Sequence, residues 1–454
     1  MIAIFDIGKT NKKLSLLDDQ YRFVDERSVQ FPEIKDEDGD PCDDLPSMTS
    51  WMKSSLKDLL RKYGDSVKAL NFSGYGASFV HVDDEGIPVT PLYNYLKPFP
   101  PGLKNTFYSV YGGEAELARV TASPVLGHLN SGLQIYRIKK NMPEAYARIR
   151  YSLHLPQYLS YLFTGKACSE MTSIGCHTHL WDFTRHQYHD WVMKEGIQEK
   201  LAPVYNSDHT ETISVNGFSL VIGVGLHDSS SALIPYLKTF SDPFLLISTG
   251  TWCISLNPFN KTTLTDDELK QDCLCYMTYE GEPVKASRLF AGHWHEEETK
   301  KIAAHFHTDP RFFEQVTFRK ELREKLLQTH PDLKPETPEG PIDNLSGLPG
   351  IDYSLFPDYE TAYHHLMMRL TKKQVASTGL ILRGSAIKNI YVDGGFSKNP
   401  LYMKMLTTSF PGCRVFAASV PQASTIGAAL IIHSVWNPTE WPSNLVSVKE
   451  AVSE

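Results

Sequence analysis

The spacing of apolar residues changes period several times along the 454-residue chain. Short β-like runs bounded by turns open it: IAIFDI (2–7), KLSLLD (13–18) and RFVDERSVQF (22–31). A helical period follows in MTSWMKSSLKDLLRKYG (48–64), where Trp51, Leu56, Leu59 and Leu60 share a face and Gly64 marks the stop. ALNFSG (69–74) and SFVHVD (78–83) read as further strands. Residues 131–163 read as helices, with breaks at Pro143 and Pro156. The run SLVIGVG (219–225) predicts a strand that leads into a helix at HDSSSALIPYL, capped by Asp228 or Ser229.

The opening pattern then recurs. PFLLISTGTWCISL (243–256) is again strand, small-residue turn with Gly and Thr, and strand. DIGKTNKKLSL and ISTGTWCISL agree in kind more than in identity, which suggests two related halves. Coincidence stays open, because Gly-Thr turns between strands are common. Residues 330–358, rich in Pro, Gly and acid, predict a long surface loop. A helix with Tyr359, Tyr363, Leu366 and Leu370 on one face follows, and IKNIYVDGGFSKNP (387–400) reads as strand, double glycine and helix start. Alternating strands and helices in both halves predict an α/β architecture.

Composition narrows the function classes. The chain is 41% hydrophobic and 22% charged, has a net charge of -8, and carries no long basic run. Nucleic acid is therefore not the expected partner, because backbone phosphates need a basic footprint. Small phosphorylated ligands remain open. The start MIAIFD meets an acid at its sixth residue, unlike a signal peptide. No run of about 18 apolar residues predicts a membrane span. Seven cysteines without CxxC spacing read as free thiols in a reducing compartment. The expectation is a cytoplasmic enzyme of two or three domains, its oligomeric state open, a homodimer included.

Four stretches carry candidate chemistry. In FDIGKTNKKLSL the tight turn at Gly8 lets backbone N–H groups approach an anion, with donors from Thr10 and Asn11. Lys9 and Lys13 could neutralise phosphate oxygens, and Asp6 could hold magnesium through water. GxxxxGK[ST] is absent, and a solvated cationic hairpin explains the stretch equally well. In GVGLHDSSSA, Asp228 follows a strand at a helix N-terminus, where open α/β sheets place ligands. The helix dipole favours its ionised form, able to take a proton from a hydroxyl; a plain N-cap is the alternative. The glycines of VDGGFSKNP, Gly394 and Gly395, would let a nucleotide lie against the backbone, or simply make a packing turn. HWHEEE (293–298) and HTH (177–179) lack zinc spacing and predict packed or solvated histidines, while CLC (273–275) predicts core packing.

In this order the motifs resemble those of the FGGY carbohydrate kinases, members of the actin-like, ribonuclease H-like ATPase superfamily, from Asp6 to about Ala429. The resemblance implies two actin-like α/β domains, 1–237 and 238–454, each with a mixed five-stranded sheet, and an active site in the cleft between them. It implies ATP and Mg2+. Gly8, Lys9, Thr10, Asn11 and Lys13 would form a first phosphate loop, Gly250 and Thr251 of STGTWC a second. Gly394, Gly395 and Asn399 would contact adenosine. Asp228 matches the catalytic base and, with Asp6, the metal site. PQASTIGAAL is similar to the family's closing glycine-alanine helix, with Gln422 where an acid is common. SGYGASFVHVDDEG, His-Asp before small residues and the second loop look most like rhamnulose and fuculose kinases. Tyr75, Gly76, Asn94 and His227 would wall the sugar. Ser78 and Tyr95 depart from the pattern, each standing where relatives carry Asp. The expected reaction moves the ATP γ-phosphoryl group to a hydroxyl of a small ketose such as L-rhamnulose or L-fuculose. Kinases of xylulose, ribulose or a polyol, an actin-like ATPase and a sugar sensor are the alternatives. Lys12, on the opposite strand face from Lys13, is expected to be solvated.

Overall fold

The opening strand Ile2–Ile7 organises the first half. In the computed structural model, which describes residues 1–334 and 345–451, it lies in the middle of a sheet. On one side it pairs antiparallel with Lys12–Leu17, which pairs antiparallel with Phe23–Val29. On the other side Ala69–Gly74 runs parallel to it, and Phe218–Gly223 and Leu226–His227 run parallel to Ala69–Gly74. Thr210–Val215 adds an antiparallel edge, so the sheet has seven strands rather than five. Asn216 and Gly217, both with positive φ, make the tight turn of that last hairpin, the geometry that matches strand twist.

Helices cover this sheet for local reasons. Leu45–Tyr63 starts three residues earlier than expected, because the Asp44 side chain accepts from Ser47 N and Pro46 fits the first turn. Its Met48, Met52, Leu56, Leu59 and Leu60 bury against Phe5, Leu14, Leu16 and Phe72. Gly64, at φ 56°, ends it. Pro143 and Pro156 fall at breaks, as expected: Gly132–Asn141 ends just before Pro143, and each proline stands in the first turn of a new helix, Pro143–Arg148 and Leu155–Thr164. Between these lies a strand absent from the sequence reading, Tyr151–His154, paired antiparallel with Phe79–Val82. Its four residues are too few to show a period of their own.

The second half repeats the same succession of directions. Phe244–Thr249 pairs antiparallel with Cys253–Asn257, which pairs antiparallel with Pro283–Leu289. Asn389–Gly394 and then Arg414–Ser419 follow in parallel on the other side. Cys273–Met277 and Ser447–Glu450 complete a second seven-stranded sheet. The echo between the two hairpins is thus structural. Helix Tyr359–Leu382, capped by Asp358, buries Tyr363, Leu366 and Leu370 as its period predicts. Of the expected loop 330–358, residues 335–344 lie outside the described residues; single turns at Pro331–Leu333 and Tyr353–Leu355 flank them.

The chain divides into two compact units. The first comprises Met1–Thr239, Cys275–Pro283 and Pro421–Leu445; the second Phe240–Leu274, Val284–Val420 and Val446–Glu454. Within the first, helix Ala423–Ile431 packs on helix Asp228–Thr239 so closely that a Cβ on Gly427 would lie 1.8 Å from the Ser231 carbonyl oxygen. All seven cysteines are free, and Cys273 and Cys275 are buried as expected. Among the described residues no helix is long and apolar enough to cross a membrane.

Candidate active site

Strand register in the first unit brings the candidate acid groups to one edge. Asp6 stands level with Ser73, and Ser73 with Leu226, on three parallel strands. The segments that leave these strands therefore emerge together at their carboxyl ends, where such sheets bind ligands. Asp6 Oδ2 accepts from Ser424 Oγ at 2.8 Å and from Thr425 Oγ1 at 3.4 Å. Burial raises the Asp6 pKa, Ser424 opposes the rise, and the charge of Asp228 adds to it. Asp228 is the first residue of helix Asp228–Thr239, and its Oδ1 accepts from Ser229 N at 2.6 Å. A third of its side chain meets solvent, yet crowding by protein pushes the pKa up to about 6. At neutral pH it is mostly ionised, and it is basic enough to take a proton.

His227 supports this carboxylate. Its Nε2 lies 3.2 Å from Asp228 Oδ1 and 3.3 Å from Cys176 Sγ, and its Nδ1 lies 3.3 Å from Ser230 Oγ. Burial lowers the imidazole pKa to about 3, so the ring beside Asp228 is neutral. Gly76 has to be glycine here: a Cβ would sit 2.3 Å from Cys176 Sγ and 3.0 Å from the His227 ring. The Tyr276 ring lies 5.3 Å from that of His227. Of HTH, His177 and His179 are packed, as expected. Cys176 escaped the sequence reading, since an isolated cysteine in a loop carries no signal.

The lysine-rich turn is less free than its sequence suggests. Gly8 N donates to Asn11 O at 2.9 Å, closing the turn, and Thr10 and Asn11 are exposed at its tip. Asn11 Oδ1 accepts from Gln30 Nε2. Lys13 Nζ reaches Gln422 Oε1 at 3.4 Å, and the Gln422 amide in turn donates to Glu26. Lys9 Nζ is held by Asp43 Oδ2 at 2.6 Å and Glu33 Oε1 at 3.1 Å, above the rings of Tyr75 and Tyr95. The expected solvation of Lys12 is wrong. It is 2% exposed because it shares a strand face with Leu14 and Leu16, the face that builds the core. Its Nζ donates to Lys9 O at 2.7 Å and pairs with Asp43 Oδ1 at 3.4 Å. Tyr75 Oη donates to Asp43 Oδ2 at 2.9 Å. Asn94 is also engaged, donating to Glu33 Oε1 and accepting from Leu96 N.

In the second unit Gly250 N donates to Trp252 O at 2.9 Å, leaving Gly250 and Thr251 exposed at the turn. Beside this turn opens a cavity of about 520 Å3, lined among others by Thr249, Gly250, His295, Gly395, Phe396 and Asn399. Gly394 (φ 89°) serves close packing, since a Cβ would lie 1.9 Å from Thr249 O. Asn399 lines the cavity, but its Oδ1 caps helix Pro400–Ser409 and its Nδ2 donates to Tyr363 Oη at 2.7 Å. His295, from HWHEEE, is packed against the same hydroxyl at 3.0 Å, and burial lowers its pKa to about 4. Among the described residues the one cluster with metal-ligand spacing is Asp36, Asp38 and Asp40. Lys97 Nζ lies within 2.9 Å of all three carboxylates and already supplies the positive charge.

Two related hairpins, one in each unit, and the raised carboxylate of the first unit are the features that sequence comparison sets in a family. Residues 1–233 match the N-terminal domain of the FGGY family of carbohydrate kinases, and residues 241–440 match the carbohydrate kinase FGGY C-terminal domain. The chain belongs to the FGGY family of carbohydrate kinases. Rhamnulokinase of Halalkalibacterium halodurans is 25% identical over 256 residues, 55% of this chain and 52% of that protein. The match thus spans about half the length of that curated relative. A carbohydrate kinase from Novosphingobium aromaticivorans has the same fold, with a TM-score of 0.77 and 24% identity over 99% of this chain and 96% of its own. Ligand bound xylulose kinase from Lactobacillus acidophilus does too, at 0.78 and 13%, over 100% and 94%. The fold is the two-domain FGGY kinase fold of mixed α/β sheets.

Proposed function

We propose that the protein is an ATP-dependent kinase that transfers the γ-phosphoryl group to a hydroxyl of a small ketose, with L-rhamnulose and L-fuculose the leading candidates. The observation that carries this reading is Asp228: a carboxylate with its pKa raised to about 6, at a helix N-terminus, braced by neutral His227. The rhamnulokinase relatives support the choice of sugar.

Phosphoryl transfer has a loose transition state, so the protein chiefly positions reactants and stabilises charge. Asp228 orients the acceptor hydroxyl and takes its proton. Tyr75, Gly76, Asn94 and His227 form the sugar wall; the amide of Asn94 contributes mainly by fixing Glu33. In the first unit the backbone of Gly8 to Asn11 and the Lys13 ammonium meet phosphate oxygens. Lys9 is neutralised by Asp43 and Glu33 and is the weaker candidate for that task. In the second unit Gly250 and Thr251 offer phosphate donors, and the cavity beside Gly395 and Asn399 takes adenosine. Asp6 and Asp228, two carboxylates whose ionised forms are disfavoured by burial, fit a divalent cation. They would hold magnesium, which supplies charge neutralisation to the phosphate oxygens when bound.

A panel of ketoses, aldoses and polyols with ATP and magnesium, read by ADP release, tests the reading. Sugar-dependent release by a ketose is expected; sugar-independent turnover would identify an ATPase, and binding without turnover a sensor. Asp228→Asn should keep ATP binding and lose about 10²–10⁴-fold in sugar phosphorylation, the usual worth of a positioned base. Equal turnover by variant and parent would remove Asp228 from this role.

A further inference from the structure

We infer that Asp43 is a positioning residue, one carboxylate that fixes the lysine-rich phosphate loop to the sugar wall; its kinetic consequence rests on the kinase reading above. The residue ends the short strand Pro41–Asp43 and is 7% exposed. Its Oδ2 accepts from Lys9 Nζ at 2.6 Å and from Tyr75 Oη at 2.9 Å, while its Oδ1 pairs with Lys12 Nζ at 3.4 Å. Lys12 Nζ also donates to the carbonyl of Lys9 at 2.7 Å, so the ammonium that Asp43 holds is fastened to the loop backbone itself.

These contacts join two segments of different origin. Lys9 and Lys12 flank the turn that follows Ile2–Ile7, and Tyr75 follows the parallel neighbour Ala69–Gly74. Tyr75 N also donates to Ile7 O at 3.0 Å. The next residue, Gly76, packs against Cys176 and against His227, which lies beside Asp228. A shift at Asp43 therefore reaches the phosphate-binding backbone and the acceptor wall together. Charge balance supports the assignment. The ammonium groups of Lys9 and Lys12 face the carboxylates of Asp43 and Glu33, which leaves both lysines poorer attractors of phosphate than Lys13. Their work is to hold the loop. Lys9 lies 5.9 Å and 5.8 Å from the Tyr75 and Tyr95 ring centres, a favourable place for a cation. Tyr95 feels the charge of Asp228 as well, which puts this network beside the candidate base.

Removing Asp43 alone would strand the buried Lys12 ammonium, a penalty unrelated to positioning. The test therefore compares full-length Lys12→Met with Lys12→Met/Asp43→Asn. Hydrogen exchange is followed in peptides covering residues 5–14 and 72–79, alongside melting temperature, adenosine affinity and steady-state kinetics. In the double variant exchange should rise about tenfold or more in both peptides, with other peptides of the first unit unchanged. At a similar Tm, kcat/KM for ATP should fall about 10- to 100-fold, the cost of small misplacements, while adenosine affinity holds. Unchanged exchange in either peptide overturns the proposal, as does a general rise across the unit with a fallen Tm, which marks a merely structural residue. If the parent shows no sugar-dependent ADP release but both peptides respond, the kinase reading fails and the positioning role of Asp43 stands.

Discussion

Gly76 shows how much a single residue carries. Alanine there would press a methyl group to 2.3 Å from Cys176 Sγ, and overpacking of this kind costs about 1–3 kcal/mol. Gly76→Ala is expected to lower the melting temperature and to raise KM for sugar more than KM for ATP, because His227 is the other neighbour that must yield. Steady-state kinetics with each substrate varied would check it. The sequence marked Gly76 through a resemblance, but the reason for a glycine, sulfur and imidazole converging on one Cα, is tertiary. The three lysines teach the same lesson. Strand alternation separated Lys12 from Lys13, yet both faces of the strand are covered, and only tertiary packing decides that Lys12 is buried while Lys13 is part-exposed. Asp43 and Glu33, the partners of Lys9, sit in an acidic stretch with no local sign of their task.

Among the elements, the crossing of helices Asp228–Thr239 and Ala423–Ile431 is a tight constraint on the site. Gly427 stands where a Cβ would meet the Ser231 carbonyl oxygen at 1.8 Å, a backbone atom that cannot turn aside. Gly427→Val should therefore cost about 3 kcal/mol or more, at the upper end of overpacking. It should also reduce activity, since Ser424 and Thr425 on that helix hold Asp6. Denaturant unfolding with parallel rate measurements would show whether the losses travel together. By contrast, the hairpin at Asn216 and Gly217 is a local affair. Gly217→Ala, at φ 86°, should lose about 1 kcal/mol with activity unchanged. That hairpin, not among the turns read from the sequence, adds one strand beyond the expected five. Tyr151–His154 was not readable, because a four-residue strand between two helices is defined by its partner Phe79–Val82.

For the whole molecule, buried neutral histidines set the acid limit of stability. Burial pushes His81, His154, His179 and His227 down to about 3. Unfolded, each returns to its ordinary 6.5 and takes up a proton, so the folded state binds fewer protons below that pH. Their contribution is complete above 6.5 and is lost as pH falls towards 3, at most about 1.4 kcal/mol per pH unit for each. Asp228, raised to about 6, works in the opposite direction together with Asp6 and Glu170, also raised by burial, three groups against four. Denaturation midpoints should fall between pH 7 and pH 5; a flat profile would count against the four rings being neutral. By itself the sequence determined what is local: apolar periods, cap residues, glycine turns, the repeated hairpin, and the two acids Asp6 and Asp228. Those follow from backbone sterics and the chemistry of near neighbours. Only the tertiary structure decided which lysines are ion-paired, that residues 421–445 return to the first unit, and which carboxylate fastens the loop. Ion pairing and desolvation depend on residues distant in sequence, and no window along the chain contains both partners.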